Sequence, residues 1–305
     1  YKFENIKIYP SYYFLPFHYS GIKYAGHEKV YAYQEWGSTK QNYEVMNQVA
    51  LPPELSDSYP RESCSVLISS YNTSERYMTE CLNSIRHQQG EFNMELVWIN
   101  DGSTPENTSI IKRLLDNFKT SSRFTTVKYI ENDGNRGIGY SLHHGVKQCA
   151  NEIIIKMDSD DIMVPDRIQK QLAFMNSHPN CVICGGQIAM FRNDDIRNTV
   201  SHSRHPPITW NQYKSKPSEW FVNHPTLCYK KSAIIKSGNY DPAEHSMIED
   251  FHLELKMLKT FGTVYNLPDV VLHYRLHPNQ VTHTAGDPKW KKVRTDIIEN
   301  MIKTD

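Results

Sequence analysis

The chain has 305 residues, of which 39% are hydrophobic, enough for one large domain with a packed core or for a domain with an appendage. Lys and Arg together number 34 and so do Asp and Glu, which excludes the overall positive field that attracts nucleic acid or anionic lipid. Because of this charge balance, we expect no nucleic-acid partner. No apolar run approaches the roughly 20 residues of a membrane-spanning helix, so we also expect no transmembrane segment.

Residues 1–60 differ in composition from the rest of the chain. They are rich in tyrosine and end in the segment 51–60, whose prolines and polar residues are typical of a linker. We therefore predict an aromatic N-terminal extension with a linker over 1–60 and one folded domain over 61–305. Because the chain starts at Tyr1 and not at a methionine, we also expect it to be a fragment of a longer protein.

From residue 64 onward, short apolar runs alternate with segments of helical periodicity. The runs that predict strands are 64–69, 94–99, 125–130 and 153–157. The segments that predict helices are 74–88, 110–118, the region marked by Ile138, Leu142 and Val146, and the region marked by Ile168, Leu172 and Met175. Strands separated by helices need crossover connections, so the sequence predicts an α/β fold with a mainly parallel central sheet flanked by helices.

Polar side chains stand directly after three of the predicted strands. They are Ser70, Tyr71 and Asn72 after the first strand, Asn100, Asp101 and Ser103 after the second, and Asp158, Ser159 and Asp160 after the fourth. Ligands of open α/β sheets bind outside the carboxyl ends of the strands. We therefore expect these residues to share one ligand-binding rim, the alternative being that the carboxylates belong to a solvated turn.

Three carboxylates, Asp158, Asp160 and Asp161, lie within four positions at the end of an Ile-rich run. Carboxylates this close repel one another unless a cation lies among them. An Asp-x-Asp loop offers oxygen ligands that suit Mg²⁺ or Mn²⁺ bridging a diphosphate, and we expect Asp161 to support the turn instead of binding the metal. Asn135 and Gly137 precede a predicted helix, where free amides can approach a phosphate or sugar, although such a glycine is also common simply as a helix cap.

Four motifs, in their order and spacing, resemble the family 2 glycosyltransferases of GT-A fold. The motifs are the segment 65–72, the segment 100–103, the segment from Asn135 through Gly145, and the segment 158–161 with Pro165 and Arg167. The resemblance covers roughly residues 64 to 280. It implies a nucleotide-diphospho-sugar transferase fold and inverting transfer of a sugar from a nucleotide sugar, most often a UDP-sugar, with Mn²⁺ or Mg²⁺ as cofactor.

The resemblance also implies roles for individual residues on the donor side. The nucleotide-sugar-binding residues that it implies are Ser70, Tyr71, Asn72, Asp101, Asn135, Gly137, Asp158, Ser159 and Arg275. It places Asp160 on the metal as the first-choice ligand, with Asp158 and His277 completing the shell, and it places Arg275 on a phosphate. An isolated histidine such as His277 is otherwise more often a surface or core residue.

On the acceptor side, the pair Glu249 and Asp250 resembles the family's Glu-Asp pair, in which the Asp deprotonates the acceptor hydroxyl. An inverting displacement needs a base on the face opposite the leaving group; the alternative is an acidic helix start that only complements the helix dipole. The resemblance places His224, His252 and Glu254 near the acceptor. Many family members carry Trp where Glu254 stands, so we expect no sugar-stacking platform at that position.

Two further features concern the setting of the protein. The segment 6–16, with Trp36 further on, weakly resembles the tail of family 32 glycosyltransferases, which implies a covalently linked upstream transferase domain; the alternative is an extension packed on the catalytic domain. The spacing of the six cysteines matches no tetrahedral zinc site, so we expect reduced core thiols and a cytoplasmic location.

The leading hypothesis is a hexosyl- or N-acetylhexosaminyl-transferase of glycan biosynthesis, whose acceptor is a glycan, a protein or a lipid. The family's Gln-x-x-Arg-Trp segment is absent from the sequence, which argues against a processive synthase. One alternative, a sugar-nucleotide pyrophosphorylase, normally has a Gly-rich loop with Lys or Arg near the first strand, and the segment 69–74 has none. The other alternative is a catalytically inactive sugar-nucleotide- or glycan-binding module of a larger multidomain protein.

Overall fold

The computed structural model of the protein describes residues 62–121, 126–243, 248–278, 280 and 287–304. The predicted N-terminal extension and linker, and the resemblance of 6–16 to family 32, lie outside the described residues. The boundary predicted after residue 60 therefore stays a prediction.

Strands and helices alternate along the described chain. The strands are β1 (Ser63–Ser70), β2 (Asn93–Asn100), β3 (Thr126–Glu131), β4 (Ile153–Asp158), β5 (Ile162–Met163), β6 (Ile183–Phe191), β7 (Thr199–His202), β8 (Ile208–Thr209), β9 (Cys228–Lys230) and β10 (Thr263–Arg275). The helices are α1 (Glu75–Arg86), α2 (Pro105–Ser121), α3 (Ile138–Gln148), α4 (Arg167–Ser177), α5 (Trp210–Ser215), α6 (Lys231–Lys236), α7 (Glu249–Phe261) and α8 (Pro288–Lys303). A 3₁₀ turn spans His224–Thr226.

The main sheet has the strand order β3-β2-β1-β4-β9-β6-β10-β5. The pairs β3–β2, β2–β1 and β1–β4 are parallel, and so is the long pair β6–β10. The short strand β9 joins the two parallel parts by pairing antiparallel with both β4 and β6. The predicted α/β class and its mainly parallel central sheet are thus confirmed, because the helices between β1, β2, β3 and β4 provide the crossovers.

Helix boundaries follow local capping chemistry. Ser74 caps α1 as predicted, since its hydroxyl accepts a hydrogen bond of 3.3 Å from the Tyr77 backbone N–H. Helix α2 starts at Pro105, five positions before the predicted start, because its first turn is polar and shows no apolar stripe. Proline suits that position, where its missing N–H removes no helical hydrogen bond.

The sheet is covered on both faces, which explains the three consecutive isoleucines of β4. The neighbouring side chains of Ile154 and Ile155 point to opposite faces, and each is completely buried in a different core cluster. Helices α1, α2 and α4 supply one cluster, and α3 and α7 supply much of the other. All six cysteines are buried free thiols, which confirms the reduced state. Within the described ranges, no helix has both the length and the apolar character that a membrane crossing requires.

The register of the parallel strands determines where the site forms. Ser70 is paired with Asn100, and Ser69 is paired with Asp158. Strands β1, β2 and β4 therefore end at the same level of the sheet. The three polar segments that follow them meet at one rim, as the sequence predicts.

Candidate active site

A cavity of about 810 Å³ opens at this rim. The predicted site residues that line it are Ser70, Tyr71, Asn72, Asp101, Asn135, Gly137, Asp158, Ser159, Asp160, His224, Glu249, Asp250 and His277. Three others, Arg275, His252 and Glu254, do not line it. The structure thus brings most of the sequence-predicted residues together from segments far apart in the chain.

The turn after β1 is locked to the turn after β2. Asn72 has a left-handed backbone with φ of 50°. Its side-chain oxygen accepts a hydrogen bond of 2.9 Å from the Thr104 N–H, and its own N–H donates to the Ser103 hydroxyl at 3.0 Å. The neighbouring Tyr71 side chain remains 51% exposed in the cavity. This geometry presents a phenol ring on a fixed backbone, where it can stack on a planar ligand.

Asp101 organises the loop before α3. Its buried carboxylate accepts hydrogen bonds from the Asn132 side chain at 2.7 Å and from the backbone N–H groups of Arg136 and Gly137, both at 2.9 Å. The next residue, Gly102, has φ of +66°, and a Cβ there would lie 2.2 Å from the Gly134 carbonyl carbon. The two loops can therefore touch only because residue 102 is glycine.

Lys156 is a cavity residue that the sequence analysis did not select. It stands in the apolar run of β4, yet its side chain is 1% exposed, lines the cavity and forms an ion pair with the Asp158 carboxylate. The signal was available: a lysine inside a buried strand is costly, and alternation puts residues 156 and 158 on the same face. The Lys156 ammonium thus relieves part of the repulsion between the crowded carboxylates, and Asp158 is its partner.

Asp160 and His277, two of the three predicted metal ligands, meet in the cavity. The distance between His277 Nε2 and Asp160 Oδ2 is 2.9 Å, and the imidazole lies 5.1 Å from the Tyr77 ring centroid. No group of three or more His, Cys, Asp or Glu side chains that could hold a metal occurs in the part of the chain that the structure describes. A carboxylate with an imidazole nevertheless fits a divalent ion that takes its remaining ligands from diphosphate oxygens and water.

Arg275 lies behind the loop that contains Asp160 and does not reach the cavity, which differs from the phosphate contact implied by the resemblance. It is fully buried, and its guanidinium donates to the Asp160 carbonyl oxygen at 2.8 Å, to Asp194 Oδ1 at 2.8 Å and to the Glu80 carboxylate. The register of β10 against β5 brings it beneath this loop. Its backbone N–H also donates to Asp161 Oδ1 at 2.8 Å, so Asp161 has the supporting place expected of it.

Helix α7 begins with Glu249 and Asp250, and both residues line the cavity. Asp250 is partly exposed, and its Oδ1 accepts a hydrogen bond of 2.7 Å from the Phe251 N–H. Burial raises the pKa of Asp250, and the nearby Lys156 ammonium opposes that rise. The pKa of Glu249 is raised well above its ordinary value by burial and by the neighbouring Asp250.

His224 is in contact with the buried Glu254. Its Nδ1 lies 3.1 Å from Glu254 Oε1, and its Nε2 lies 3.3 Å from the Tyr240 hydroxyl. Burial lowers the pKa of His224 well below its ordinary value and raises the pKa of Glu254 well above its own, so the contact is a hydrogen bond between neutral groups and not a salt bridge. Glu254 therefore orients His224, while His252 lies off the cavity.

The chain is similar to known proteins both in sequence and in fold. The sequence model described as "Glycosyl transferase family 2" matches residues 65–238. The chain is similar to an "Uncharacterized glycosyltransferase" of Haemophilus influenzae, with 32% identity over 224 residues that cover 73% of this chain and 79% of that protein.

Two solved structures are similar in fold. One is S. aureus TarS 1-349 in complex with UDP-GlcNAc, with a TM-score of 0.58 and 20% identity over 78% of this chain and 66% of that chain. The other is the mannosyltransferase PcManGT from Pyrobaculum calidifontis in complex with GDP-Man and Mn²⁺, with a TM-score of 0.55 and 17% identity over 74% of this chain and 60% of that chain. The aligned region thus spans two thirds or less of each solved chain.

Proposed function

The chain belongs to glycosyl transferase family 2, and from this premise we propose that it is a metal-dependent, inverting, non-processive transferase. It moves a hexosyl or N-acetylhexosaminyl group from a UDP-sugar to an acceptor hydroxyl. The observation that carries the proposal is the joint presence, in one cavity, of a carboxylate–imidazole pair and a partly exposed carboxylate at the start of α7.

The donor is assigned to the side formed by the ends of β1, β2 and β4. The exposed Tyr71 ring offers a face to the base, and the loop held by Asp101 brings Asn135 and Gly137 to the same cavity. TarS 1-349 was solved with UDP-GlcNAc and PcManGT with GDP-Man, which supports a nucleoside diphosphate at the corresponding place. We favour uridine because family members most often use UDP-sugars.

Asp160 and His277 would hold the divalent ion, for which Mn²⁺ in the PcManGT complex is a precedent. When bound, such an ion offsets the negative charge that develops on the departing diphosphate. The chain's own contribution is to hold the two ligands in place. Arg275 donates a hydrogen bond to the Asp160 carbonyl and so holds the backbone there. Because Asp158 is paired with Lys156, Asp160 is the carboxylate that faces His277.

Asp250 is the proposed general base. A carboxylate with a raised pKa is a stronger base than one in water and accepts the acceptor's proton more readily as the new bond forms. Glu249 is more deeply buried than Asp250, at 4% exposure, and burial together with the neighbouring Asp250 raises its pKa, which favours the protonated form. Asp250 is thus the carboxyl of the pair that can reach a substrate while ionised.

The test is nucleotide release from a panel of UDP- and GDP-sugars, with and without Mn²⁺, for the wild type, Asp160→Ala and Asp250→Asn. We expect metal-dependent release by the wild type, loss of at least about 100-fold in Asp160→Ala, and retained slow hydrolysis but greatly reduced transfer in Asp250→Asn. Absence of metal-dependent release with every donor would overturn the transferase proposal. Full transfer by Asp250→Asn would overturn the assignment of the base.

A further inference from the structure

The cavity contains a second exposed aromatic side chain, which no sequence motif marks. Among the described residues, the large apolar side chains that are exposed are Tyr71, Ile196, Val200, Trp220 and Ile235. Both aromatic members of this set line the cavity, and Trp220 is 52% exposed there. Single exposed apolar residues are ordinary on protein surfaces, but an indole that opens into a cavity of this size is available to a ligand.

The Trp220 backbone is fixed on both sides. The Ser218 hydroxyl donates to the Trp220 carbonyl at 3.0 Å and accepts from its N–H at 3.2 Å, and the preceding Glu219 forms an ion pair of 2.7 Å with Arg294 of α8. The following residue, Phe221, is buried in the core. The Arg294 guanidinium carbon lies 5.4 Å from the Trp220 ring centroid. The ring is therefore positioned before any ligand arrives, which reduces the entropy lost on binding.

Two contacts place Trp220 on the side of the proposed base. Phe221 and Phe251, the chain neighbours of Trp220 and Asp250, pack edge to face with ring centroids 6.5 Å apart. Arg294, which lies against the Trp220 ring, is also close enough to Asp250 to act on its carboxylate electrostatically. The indole and the base thus belong to the same end of the cavity, while Tyr71 belongs to the strand-end rim.

We propose that Trp220 is the stacking platform of the acceptor site and that the acceptor presents a pyranose ring, whose hydroxyl is delivered to Asp250. This inference rests on the transferase function proposed above. One face of a pyranose consists of axial C–H groups and is apolar, whereas its hydroxyls project from the edge. A rigid indole matches such a face, and the polar edge is then left for Glu249, Asp250 and His224. The platform occupies a different place from Glu254, where the family's common tryptophan would stand.

The test measures binding of methyl β-glucopyranoside, β-galactopyranoside and N-acetyl-β-glucosaminide by saturation-transfer NMR in the presence of UDP and Mn²⁺. Glycerol and a serine-containing peptide serve as acceptors without a sugar ring. The variants are Trp220→Ala, Trp220→Phe, which keeps an aromatic face, and Trp290→Ala. Trp290 lies on α8 and does not line the cavity, so it controls for the loss of an indole elsewhere.

We expect at least one pyranoside to bind the wild type, with its Kd raised about tenfold or more in Trp220→Ala and less than about threefold in Trp220→Phe and Trp290→Ala. The urea denaturation curve of Trp220→Ala, followed by circular dichroism, should remain cooperative, which shows that the variant is folded. Equal pyranoside affinity in the wild type and Trp220→Ala, or binding of only the peptide or glycerol, would overturn the inference. Absence of nucleotide release by the wild type would instead overturn the transferase proposal, since pyranoside binding is measured without turnover.

Discussion

Replacing Lys156 by methionine should destabilise the protein by about 2–3 kcal/mol. Methionine keeps the apolar stem but removes the charge, so Asp158 loses its ion-pair partner. Removing one partner of a buried ion pair costs about 3–5 kcal/mol. The Lys156 side chain is 1% exposed but that of Asp158 is 27% exposed, so water recovers part of the loss and reduces it to about 2–3 kcal/mol.

A double-mutant cycle separates this pair from the surrounding packing. Asp158→Asn alone should cost at least as much as Lys156→Met, because it leaves the buried ammonium without the carboxylate that it contacts. The double variant should lose only about 2 kcal/mol in total, because it leaves neither charge unpaired. The expected coupling energy is therefore about 2 kcal/mol or more.

The assay is urea denaturation followed by circular dichroism, in EDTA so that no bound metal adds stability. Lys170→Met is the matched control: its side chain is 34% exposed, and its pairs with Asp166 and Asp269 lie at the surface, so a loss below about 1 kcal/mol is expected. Strictly additive effects of Lys156→Met and Asp158→Asn, or a loss in Lys156→Met no larger than in the control, would refute the reasoning.

Three other predictions address the base, the loop contact and the buried arginine. The pKa of Asp250 is raised and the proposed base acts when ionised, so kcat/KM for transfer should fall on the acid side at a pH above the usual carboxyl range. The measurement is a pH–rate profile of kcat/KM. An acid limb near pH 4, where an ordinary carboxyl group titrates, would contradict the prediction. Gly102→Ala should cost about 2–4 kcal/mol in urea denaturation and weaken UDP binding. Gly238→Ala is the control: Gly238 has φ of +95°, but no atom lies nearer than 3.9 Å to the added Cβ, so the cost should be only about 1 kcal/mol. Equal losses in the two variants would contradict the predicted clash at residue 102. Arg275→Lys should lower the free energy of unfolding by about 2–3 kcal/mol, because an ammonium cannot reproduce three divergent guanidinium contacts. It should also weaken Mn²⁺ binding, which calorimetry measures. Unchanged Mn²⁺ affinity would show that Asp160 needs no support from Arg275.

The sequence predicts the first half of the fold better than the second. Through residue 177, periodicity locates β1 to β4 and the helices between them, but it misses the two-residue strand β5 and the polar first turn of α2. Strand β10 is different because its pairing with β6 contains register shifts, and β6 contains Gly185 and Gly186. These glycines make room for Val222 and Val271, whose side chains lie 2.4 Å and 2.6 Å from where a Cβ would stand. Such spacing depends on tertiary contacts and leaves no periodic signal.

The site shows the same division between local and distant causes. Tyr71, Asp101 and Asp160 could be predicted because parallel strands end at one rim, so their position follows from the strand that each one ends. The place of Arg275 could not, because its partners Asp194 and Glu80 are 81 and 195 positions away in the sequence. Trp220 also has no local signature, since its exposure depends on Arg294 of α8 and on the packing of Phe221.

Glu249, Asp250 and Glu254 differ in burial, and this difference favours Asp250 as the proposed base. Glu249 and Glu254 are 4% and 5% exposed, and burial raises the pKa of each well above its ordinary value, which favours their protonated forms. Asp250 is partly exposed and lies near the Lys156 and Arg294 cations, both of which favour its ionised form. As pH rises, Asp250 should therefore be the first of the three to lose its proton. A neutral Glu249 beside it then avoids the repulsion that two adjacent carboxylates would create, and the negative charge needed for proton abstraction stays on the group that a substrate can reach.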